Sequence, residues 1–572
     1  MRDLSKVLCI LSLTLWCMIY SSLSSSPSPS PSPSDITHRI DELYKELQQQ
    51  QYRHDQSYFP KFSFPPLLWQ QQEGVYESFV HLNFNGEEAQ TLARHKFAIP
   101  DSNAFVTIFV AETFLEISEL HPHFINDFDE VVLRAIKAIT TFQDENLQEN
   151  VPTFVFWPQI GFTEHMRHSY RAFAANLAIP LNLLKSGVEG FERILAALGL
   201  KKIAADVSFV KEVANMFTSV FGIPADTDDT GCAFALGAKL YSLRHEFPKS
   251  SSYWMEKNYD FASTLNAFVK YSYQPFKHDE SDENVDVIDP RTYFWMHEYL
   301  KNLKPRGQDE APVRFVNTWM QNIEETRIWA SRHVMMPFGV NNVDGSVASN
   351  ALFGIISSVV YNPDTFVPLF DESVQGLVHD TANLLGYILD NDLLDHIEPL
   401  ILLYYPSRYN FYWFVSRIVR VLNESEAVAL MQRFPVLQNV SSTLTKSMMK
   451  NGAEQLLRLV SIPSGGSGNV AYWDGFLGNA DTRGTTTLQF HEDRVYSTSV
   501  AVNALLDTFT LSSVGDKGEK KLSWRPEVTD EIKTTVDKAL NWLVNEAADF
   551  PKENTFFSAS MKGNVAPWNY PL

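Results

Sequence analysis

The sequence predicts an all-α protein, specifically an α/α toroid with inner and outer rings of about six helices each. Three observations predict it. Hydrophobic residues recur with the period of a helix rather than a strand, several helical segments are apolar on every face, and amphipathic helices lie between them. A helix that is apolar all round must be buried all round, whereas an amphipathic helix covers a core with one face. A helical solenoid and a two-domain helical array are the alternatives.

The first 24 residues have the layout of a signal peptide. Arg2 and Lys6 precede an apolar run from Val7 to Tyr20, which is shorter than the about 20 residues that a membrane-spanning helix needs. Cleavage within residues 1–24 predicts a protein that is secreted or held in the lumen of the secretory pathway, with no transmembrane span left. An uncleaved signal anchor is the alternative.

The next segment, residues 25–36, is rich in Ser and Pro and predicts an extended linker to a toroid domain of residues 37–572. A domain of that length can stabilise itself by burial without disulfides. Only Cys232 of the three cysteines lies in the domain, so we expect it to be a buried small residue or a site residue.

The sequons at Asn423 and Asn439 predict N-glycosylation on one exposed side.

The net charge and the aromatic content of the chain limit the kinds of partner that it can have. The formal net charge of −21 excludes nucleic acid as an expected partner, because phosphate backbones are bound by clustered Lys and Arg. Aromatic residues make up 13% of the chain, with 40 phenylalanines, which is more than an ordinary core requires. A large aromatic-lined cavity for a hydrophobic small molecule would explain this excess, and so would a bulky core.

The predicted inner helices each begin after a polar turn and are rich in small and apolar residues. There are six of them, and they should open toward one end of the toroid: Ala104–Ile117, His165–Ala178, Gly231–Leu240, Val347–Val360, Tyr409–Val421 and Val500–Phe509. The predicted outer helices have one charged face: Phe128–Phe142, Val188–Leu200, Val313–Arg327, Val374–Leu389 and Val528–Val544.

An acidic run, Asp226-Thr227-Asp228-Asp229-Thr230, stands at the start of one predicted inner helix. Protonation of an alkene requires a carboxylic acid that keeps its proton, and desolvation and neighbouring carboxylates raise a pKa in this way. Aromatic faces could then stabilise the carbocation without attacking it. Asp and Thr before an apolar helix are also favoured as N-caps, so a purely structural role is the alternative.

At Asp226, Asp228, Asp229 and Thr230 the chain resembles the class II terpenoid cyclases, which include squalene-hopene cyclases and copalyl diphosphate synthases. The resemblance implies an α/α toroid and proton-initiated cyclisation of an isoprenoid alkene. It implies that Asp228 gives the proton, that Asp226 and Asp229 flank it, and that no cofactor takes part. Magnesium would be needed only for a diphosphate substrate. The Gln-x-x-x-Gly-x-Trp repeats of squalene-type cyclases are absent from the sequence.

Further residues are expected to line the cavity, within the acidic run or on or just before predicted inner helices: Thr230, Cys232, Asp344, Asn350, Tyr409, Trp413 and Tyr496. Two other functions stay open at this point. The chain could be a secreted non-catalytic toroid that binds a hydrophobic small molecule or a protein partner. It could also be an (α/α) barrel carbohydrate-active enzyme with paired acids on a cleft.

Overall fold

The chain is described by a computed structural model in which the following residues are placed: 33–53, 56–58, 69–76, 78–80, 83–85, 99–101, 103–120, 125–144, 152–157, 159–161, 170–172, 223–258, 260–277, 286–307, 311–320, 340–405, 407–463, 469–474, 494–514, 520–547 and 560–562. The predicted signal peptide, residues 1–24, lies outside them. The described part is predominantly helical, which confirms the all-α class.

The helices among the described residues are α1 Pro33–Gln50, α2 Ala104–Leu120, α3 Ile125–Ile139, α4 Thr227–Ser242, α5 Pro248–Lys257, α6 Phe261–Lys270, α7 Pro290–Asn302, α8 Gly345–Tyr361, α9 Pro363–Phe366, α10 Glu372–Asp390, α11 Leu393–Ile401, α12 Arg408–Leu422, α13 Ser425–Arg433, α14 Pro435–Ser447, α15 Ala453–Leu459, α16 Arg494–Phe509 and α17 Asp530–Asn545. Two short 3₁₀ turns, Thr140–Phe142 and Val367–Leu369, and a π-helical turn, Met448–Gly452, join some of them.

The strands of the described residues are short and form two-stranded pairs: β1 Gln56–Tyr58, β2 Trp69–Gln71, β3 Ser78–Val80, β4 Asn83–Asn85, β5 Ile99–Asp101, β6 Gln159–Gly161, β7 Tyr170–Ala172, β8 Thr510–Val514, β9 Lys520–Trp524 and β10 Ser560–Lys562. Strand β1 pairs with β2, β3 with β5, β6 with β7 and β8 with β9, all antiparallel, while β4 and β10 pair in parallel.

Five helices of the described chain, α2, α4, α8, α12 and α16, are buried along almost their whole length. Each packs against the next in this order. Their sequences match five of the six predicted inner helices. Amphipathic helices alternate with them: α3 packs on α2, α10 on α8 and α17 on α16. These correspond to three of the predicted outer helices, because each keeps a charged face in water and buries the other.

Three of the buried helices start with a polar side chain that caps the free backbone N–H groups of the first turn. The Oδ1 atom of Asn103 accepts a hydrogen bond from the Val106 N–H at 2.9 Å. Asp226 Oδ1 accepts from the Asp229 N–H at 2.7 Å. Asp344 Oδ1 accepts from the N–H of Ser346 at 2.8 Å. The polar turns of the sequence are therefore helix starts.

Helices α4 and α8 touch backbone to backbone at two glycines. A Cβ atom added to Gly231 would lie 2.7 Å from Ala351 Cα, and one added to Gly354 would lie 2.2 Å from the Gly231 carbonyl oxygen. Both distances are far below van der Waals contact, so any larger residue would push the helices apart. This close approach sets the position of Asp228, one turn before Gly231, relative to α8.

The structure corrects two helix predictions. Within His165–Ala178, Tyr170–Ala172 is strand β7, which takes its backbone hydrogen bonds from β6 and cannot be helical; the other residues of this range lie outside the described residues. Within Val313–Arg327, the described residues through Met320 are extended. Phe315 exchanges backbone hydrogen bonds with Tyr273 at 2.9 and 2.8 Å, so neighbouring segments satisfy the backbone there.

Other predicted boundaries can be placed only in part. The predicted outer helix Val188–Leu200 lies outside the described residues. Helix α1 begins at Pro33, inside the predicted linker of residues 25–36. None of the helices in the described ranges has the length and hydropathy needed to cross a bilayer.

Candidate functional site

The acidic run occupies the N-terminal turn of α4 and is fully enclosed. Asp226 is the N-cap residue, and Thr227, Asp228, Asp229 and Thr230 form the first turn. Relative exposures of Asp226, Asp228 and Asp229 are 5%, 4% and 1%. Carboxyl groups are almost never buried to this degree without partners, so the environment of each one decides what it can do.

Asp228 is held by two donors from other parts of the fold. The Asn350 Nδ2 group, on α8, donates a 2.7 Å hydrogen bond to Asp228 Oδ1. The hydroxyl of Tyr405, in the segment before α12, donates to Asp228 Oδ2. Each oxygen of this carboxyl therefore has a fixed partner, and both partners stabilise the carboxylate that remains after a proton is given away.

Asp344 positions Tyr405 rather than touching the acidic run. Its Oδ1 atom caps α8, while its Oδ2 atom accepts hydrogen bonds from the backbone N–H groups of Leu403 at 2.5 Å and Tyr404 at 3.3 Å. The segment that carries Tyr405 is thereby tied to the start of α8. Asp344 therefore has a structural role. Of the predicted pair Asp344 and Asn350, only Asn350 hydrogen-bonds to Asp228.

Arg417 extends the polar cluster into the middle of the buried helices. Its Nη2 atom donates to Asn350 Oδ1 at 2.6 Å, and its Nη1 atom donates to Glu112 Oε2, on α2, at 3.1 Å. Arg417 is 2% exposed. A continuous chain of hydrogen bonds therefore runs from Asp228 through Asn350 and Arg417 to Glu112, linking α4, α8, α12 and α2.

Aromatic rings enclose this chain. Phe105 stacks on Tyr405 with ring centroids 4.9 Å apart, and Phe109 lies 4.4 Å from Phe105. The guanidinium carbon of Arg417 lies 4.1 Å from the Phe353 ring centroid and 4.6 Å from that of Phe109. The surroundings of Asp228 thus combine an acid with several π-faces, which attract positive charge.

Burial raises the pKa of each aspartate in the run. Burial and the charge of Asp226 hold the pKa of Asp228 well above its usual range, against the hydrogen bonds from Tyr405 and Asn350. The pKa of Asp229 is also well above its usual range, because of burial and the charges of Asp226 and Asp228. The pKa of Asp226 rises to about 7 through burial, although hydrogen bonds from Asp229 oppose it. Burial thus favours the protonated form of these carboxyl groups.

The remaining predicted site residues on α4 are structural. The hydroxyl oxygen of Thr230 accepts a 2.9 Å hydrogen bond from the Phe154 N–H, tying α4 to a neighbouring extended segment. Cys232 is a buried free thiol, and burial together with the charge of Asp228 raises its pKa. A thiol that stays protonated is a poor nucleophile, so Cys232 acts here as a small apolar residue.

The predicted aromatic residues lie in the same buried region. The Tyr409 hydroxyl donates to the Asp474 carbonyl oxygen at 3.2 Å, and the Tyr496 hydroxyl donates to Asn410 Oδ1 at 2.7 Å. The Trp413 ring lies 5.4 Å from that of Phe109, within the aromatic cluster. The structure therefore brings Trp413 near Arg417, whereas Tyr409 and Tyr496 serve other hydrogen bonds.

The two predicted glycosylation sites differ in exposure. Asn439 lies exposed on α14. Asn423 is half-buried at the end of α12, and its Nδ2 atom, which would carry a glycan, is buried with no hydrogen-bond partner among the residues that the structure describes.

Comparison with protein-family models, with curated proteins and with solved structures finds no match to this chain. Within the placed residues, no three His, Cys, Asp or Glu side chains lie together in a way that could hold a metal ion.

Three members of the cluster were missed by sequence reasoning: Tyr405, Arg417 and Glu112. The sequence did contain a signal for Arg417 and Glu112. An arginine or glutamate in the interior of a helix that is otherwise apolar all round has to find a buried partner. Tyr405 lies in an irregular segment, and nothing in the periodicity of the sequence indicates that it meets Asp228.

Proposed function

We propose that this protein catalyses the proton-initiated cyclisation of an isoprenoid alkene, with Asp228 as the proton donor. The observation that carries the proposal is the environment of Asp228. It is a carboxyl whose burial favours the protonated form, contacted by Asn350 and Tyr405 and bordered by aromatic rings. Such an acid meets the two demands of alkene protonation, which are a retained proton and exclusion of water.

In the proposed reaction, the O–H bond of Asp228 breaks and its proton forms a C–H bond with one alkene carbon. The other alkene carbon becomes cationic and is attacked by the π-electrons of the next double bond, which closes a ring. The rings of Phe105, Tyr405 and Phe353 stabilise the migrating charge. Loss of a proton from the last cation ends the sequence, so the product is an isomer of the substrate and no oxidant is required.

The role of the flanking groups follows from their charges. Asn350 and Tyr405 stabilise the Asp228 carboxylate as it forms, because both donate to it. Asp226 raises the pKa of Asp228 and favours its protonated form before the reaction. The opposing effects give an acid that is protonated at rest and still able to ionise.

We also propose that the five buried helices belong to the inner ring of an α/α toroid, and that the protein is exported. The consecutive packing of α2, α4, α8, α12 and α16 supports the first point. The signal-peptide layout of residues 1–24 supports the second. Magnesium enters the proposal only if the substrate carries a diphosphate.

A second candidate is a non-catalytic carrier of a hydrophobic small molecule. The observation that favours it is the capping bond of Asp226, which gives part of the acidic run a structural purpose. A carbohydrate-active enzyme has less support, because the three aspartates lie within one helical turn instead of on opposite sides of a cleft.

Incubation of the full chain with farnesyl, geranylgeranyl and squalene-type substrates tests the proposal, with mass spectrometry to detect cyclised isomers. Asp228→Asn should abolish product, and Asp371→Asn should not. Asp371 is a matched control because it is also an aspartate at a helix start, where it caps α10 through the Ser373 and Val374 N–H groups. Absence of product from the folded wild type would favour the carrier.

A further inference from the structure

One face of α12 carries three buried hydrogen-bond donors for which the described residues offer no acceptor. They are Asn410 Nδ2, Trp413 Nε1 and Arg417 Nε, and none has a hydrogen-bond partner within the described part of the fold. The spacing of three and four residues places them on the same side of the helix. Relative exposures of the three residues are 0%, 1% and 2%.

The other atoms of these side chains are already fixed, so their free donors point in defined directions. Asn410 Oδ1 accepts from the Tyr496 hydroxyl. The Arg417 Nη atoms donate to Asn350 and Glu112. The Trp413 ring lies 4.9 Å from the guanidinium carbon of Arg417. Trp413 and Arg417 thus lie side by side, whereas Asn410 is about 10 Å from Arg417 along the helix axis.

A buried donor without a partner destabilises the fold, because it has lost its hydrogen bonds to water and gained none in the protein. Nearly all such groups in folded proteins find a partner in the protein, in water or in a ligand. The missing partner here must supply acceptors only, because all three groups are donors. A carboxylate has two oxygens with about four lone-pair sites and no donor, so one carboxylate can accept from both Trp413 and Arg417, whereas a hydroxyl also brings a donor of its own.

The surroundings of the donors are apolar. The guanidinium of Arg417 lies among the rings of Phe109, Phe353 and Phe414, at 4.6, 4.1 and 5.2 Å from the ring centroids. These rings fit a hydrocarbon chain and leave the polar contacts to one end of a ligand. A carboxylate next to Arg417 would also form a charge-assisted hydrogen bond, which is stronger than a neutral one.

We propose that Trp413 and Arg417 form a head-group site that binds the carboxylate of an unsaturated, isoprenoid-like acid. The site deepens the proposed function, since it names the polar end of the substrate, and rests on that function only for the reaction that follows binding. Phe109, Phe353 and Phe414 contact the adjoining hydrocarbon. Asp228 remains the acid, two hydrogen bonds away from Arg417 through Asn350.

Equilibrium dialysis of the full chain tests the site with two probes that share one chain, farnesoic acid and farnesol. The measurement is made at about pH 8, where an ordinary carboxylic acid is ionised. The wild type should bind the acid about tenfold more tightly than the alcohol, as expected for charge-assisted bonds. Equal affinity for both probes, or binding of neither, would show that water alone satisfies the donors and would overturn the proposal.

Trp413→Phe removes one donor and keeps an aromatic ring. It should weaken binding of farnesoic acid about fivefold, the effect of one hydrogen bond of about 1 kcal/mol. The matched control is Trp473→Phe, because the Trp473 Nε1 group already donates to the Leu456 carbonyl oxygen at 2.8 Å. This control should leave the affinity ratio of acid to alcohol unchanged. An unchanged ratio in Trp413→Phe would contradict the assignment of Trp413.

The two proposals fail in different ways. Selective binding of the acid, with no cyclised product from any substrate, would overturn the catalytic function and leave the head-group site. Cyclised product from a neutral substrate, with no preference for the acid, would overturn the head-group site and leave Asp228 as the catalytic acid.

Discussion

Asn350 on α8 donates a 2.7 Å hydrogen bond from Nδ2 to Oδ1 of Asp228 on α4. The direction of this bond is set by Arg417, whose Nη2 donates to Asn350 Oδ1. A guanidinium has donors only, so the amide oxygen of Asn350 must face Arg417 and its nitrogen must face Asp228. Arg417 thereby determines that Asp228 meets a donor, which favours loss of its proton.

The contact between Asn350 and Asp228 depends on the glycine crossing. Gly231→Ala places a Cβ atom 2.7 Å from Ala351 Cα, and overpacking of this kind costs about 1–3 kcal/mol. We expect a lower free energy of unfolding in urea and loss of product formation. Gly376→Ala is the control, because its Cβ would meet no atom closer than 3.6 Å; it should stabilise α10 by about 0.5–1 kcal/mol. Equal stability of the two variants would contradict the crossing.

Asp228 should make the wild type less stable as pH rises. Its folded-state pKa lies well above the ordinary value of 3.8. Above about pH 4 the unfolded chain has lost this proton and the folded chain still holds it, so stability falls by up to about 1.4 kcal/mol per pH unit until the folded pKa is reached. Asp228→Asn has no such proton, and its stability relative to wild type should rise over this window.

Glu119 is a control for that titration, because its pKa is lowered in the folded state whereas that of Asp228 is raised. Burial opposes ionisation, yet Lys239 and Lys520 lower the pKa of Glu119 to about 2. Its contribution is present above its unfolded value of 4.5 and is lost as pH falls toward 2. Urea unfolding curves of Asp228→Asn and Glu119→Gln, each compared with wild type between about pH 2 and 7, measure the two pH dependences. A pH-independent difference between wild type and Asp228→Asn would refute a retained proton.

Asp344 should matter more than an ordinary helix cap. Asp371→Ala removes a cap on α10 and should cost about 1 kcal/mol. Asp344→Ala removes the cap on α8 and also the acceptor for the Leu403 and Tyr404 N–H groups; we expect a loss of about 2–4 kcal/mol. Thermal unfolding of both variants measures the difference. Equal losses would mean that the Tyr405 segment is held by other contacts.

The sequence predicted the parts of the fold that depend on local pattern. All-round apolar segments identified α2, α4, α8, α12 and α16, because complete burial leaves a clear mark in composition. The prediction was wrong for Val313–Met320, where apolar residues recur but the backbone pairs with neighbouring extended segments. Pairing partners distant in sequence cannot be read from periodicity alone.

Only part of the candidate site was predictable from the sequence. The acidic run indicated a helix start with three carboxyl groups, and Asn350 was named from its place on a second inner helix. The contacts of Tyr405 and Arg417 with this pair depend on how α8 and α12 cross, and on the segment that Asp344 holds. These are tertiary relationships, and a single sequence carries no signal for them.

Cyclisation in D₂O is the most direct measurement of the central claim. Wild type and Asp228→Asn are incubated with farnesyl, geranylgeranyl and squalene-type substrates, and products are analysed by mass spectrometry. The account predicts cyclised isomers from wild type that carry one deuterium at the protonated carbon, and none from Asp228→Asn. Cyclised product without deuterium, or undiminished product from Asp228→Asn with unchanged folding, would contradict the assignment of Asp228 as the proton donor.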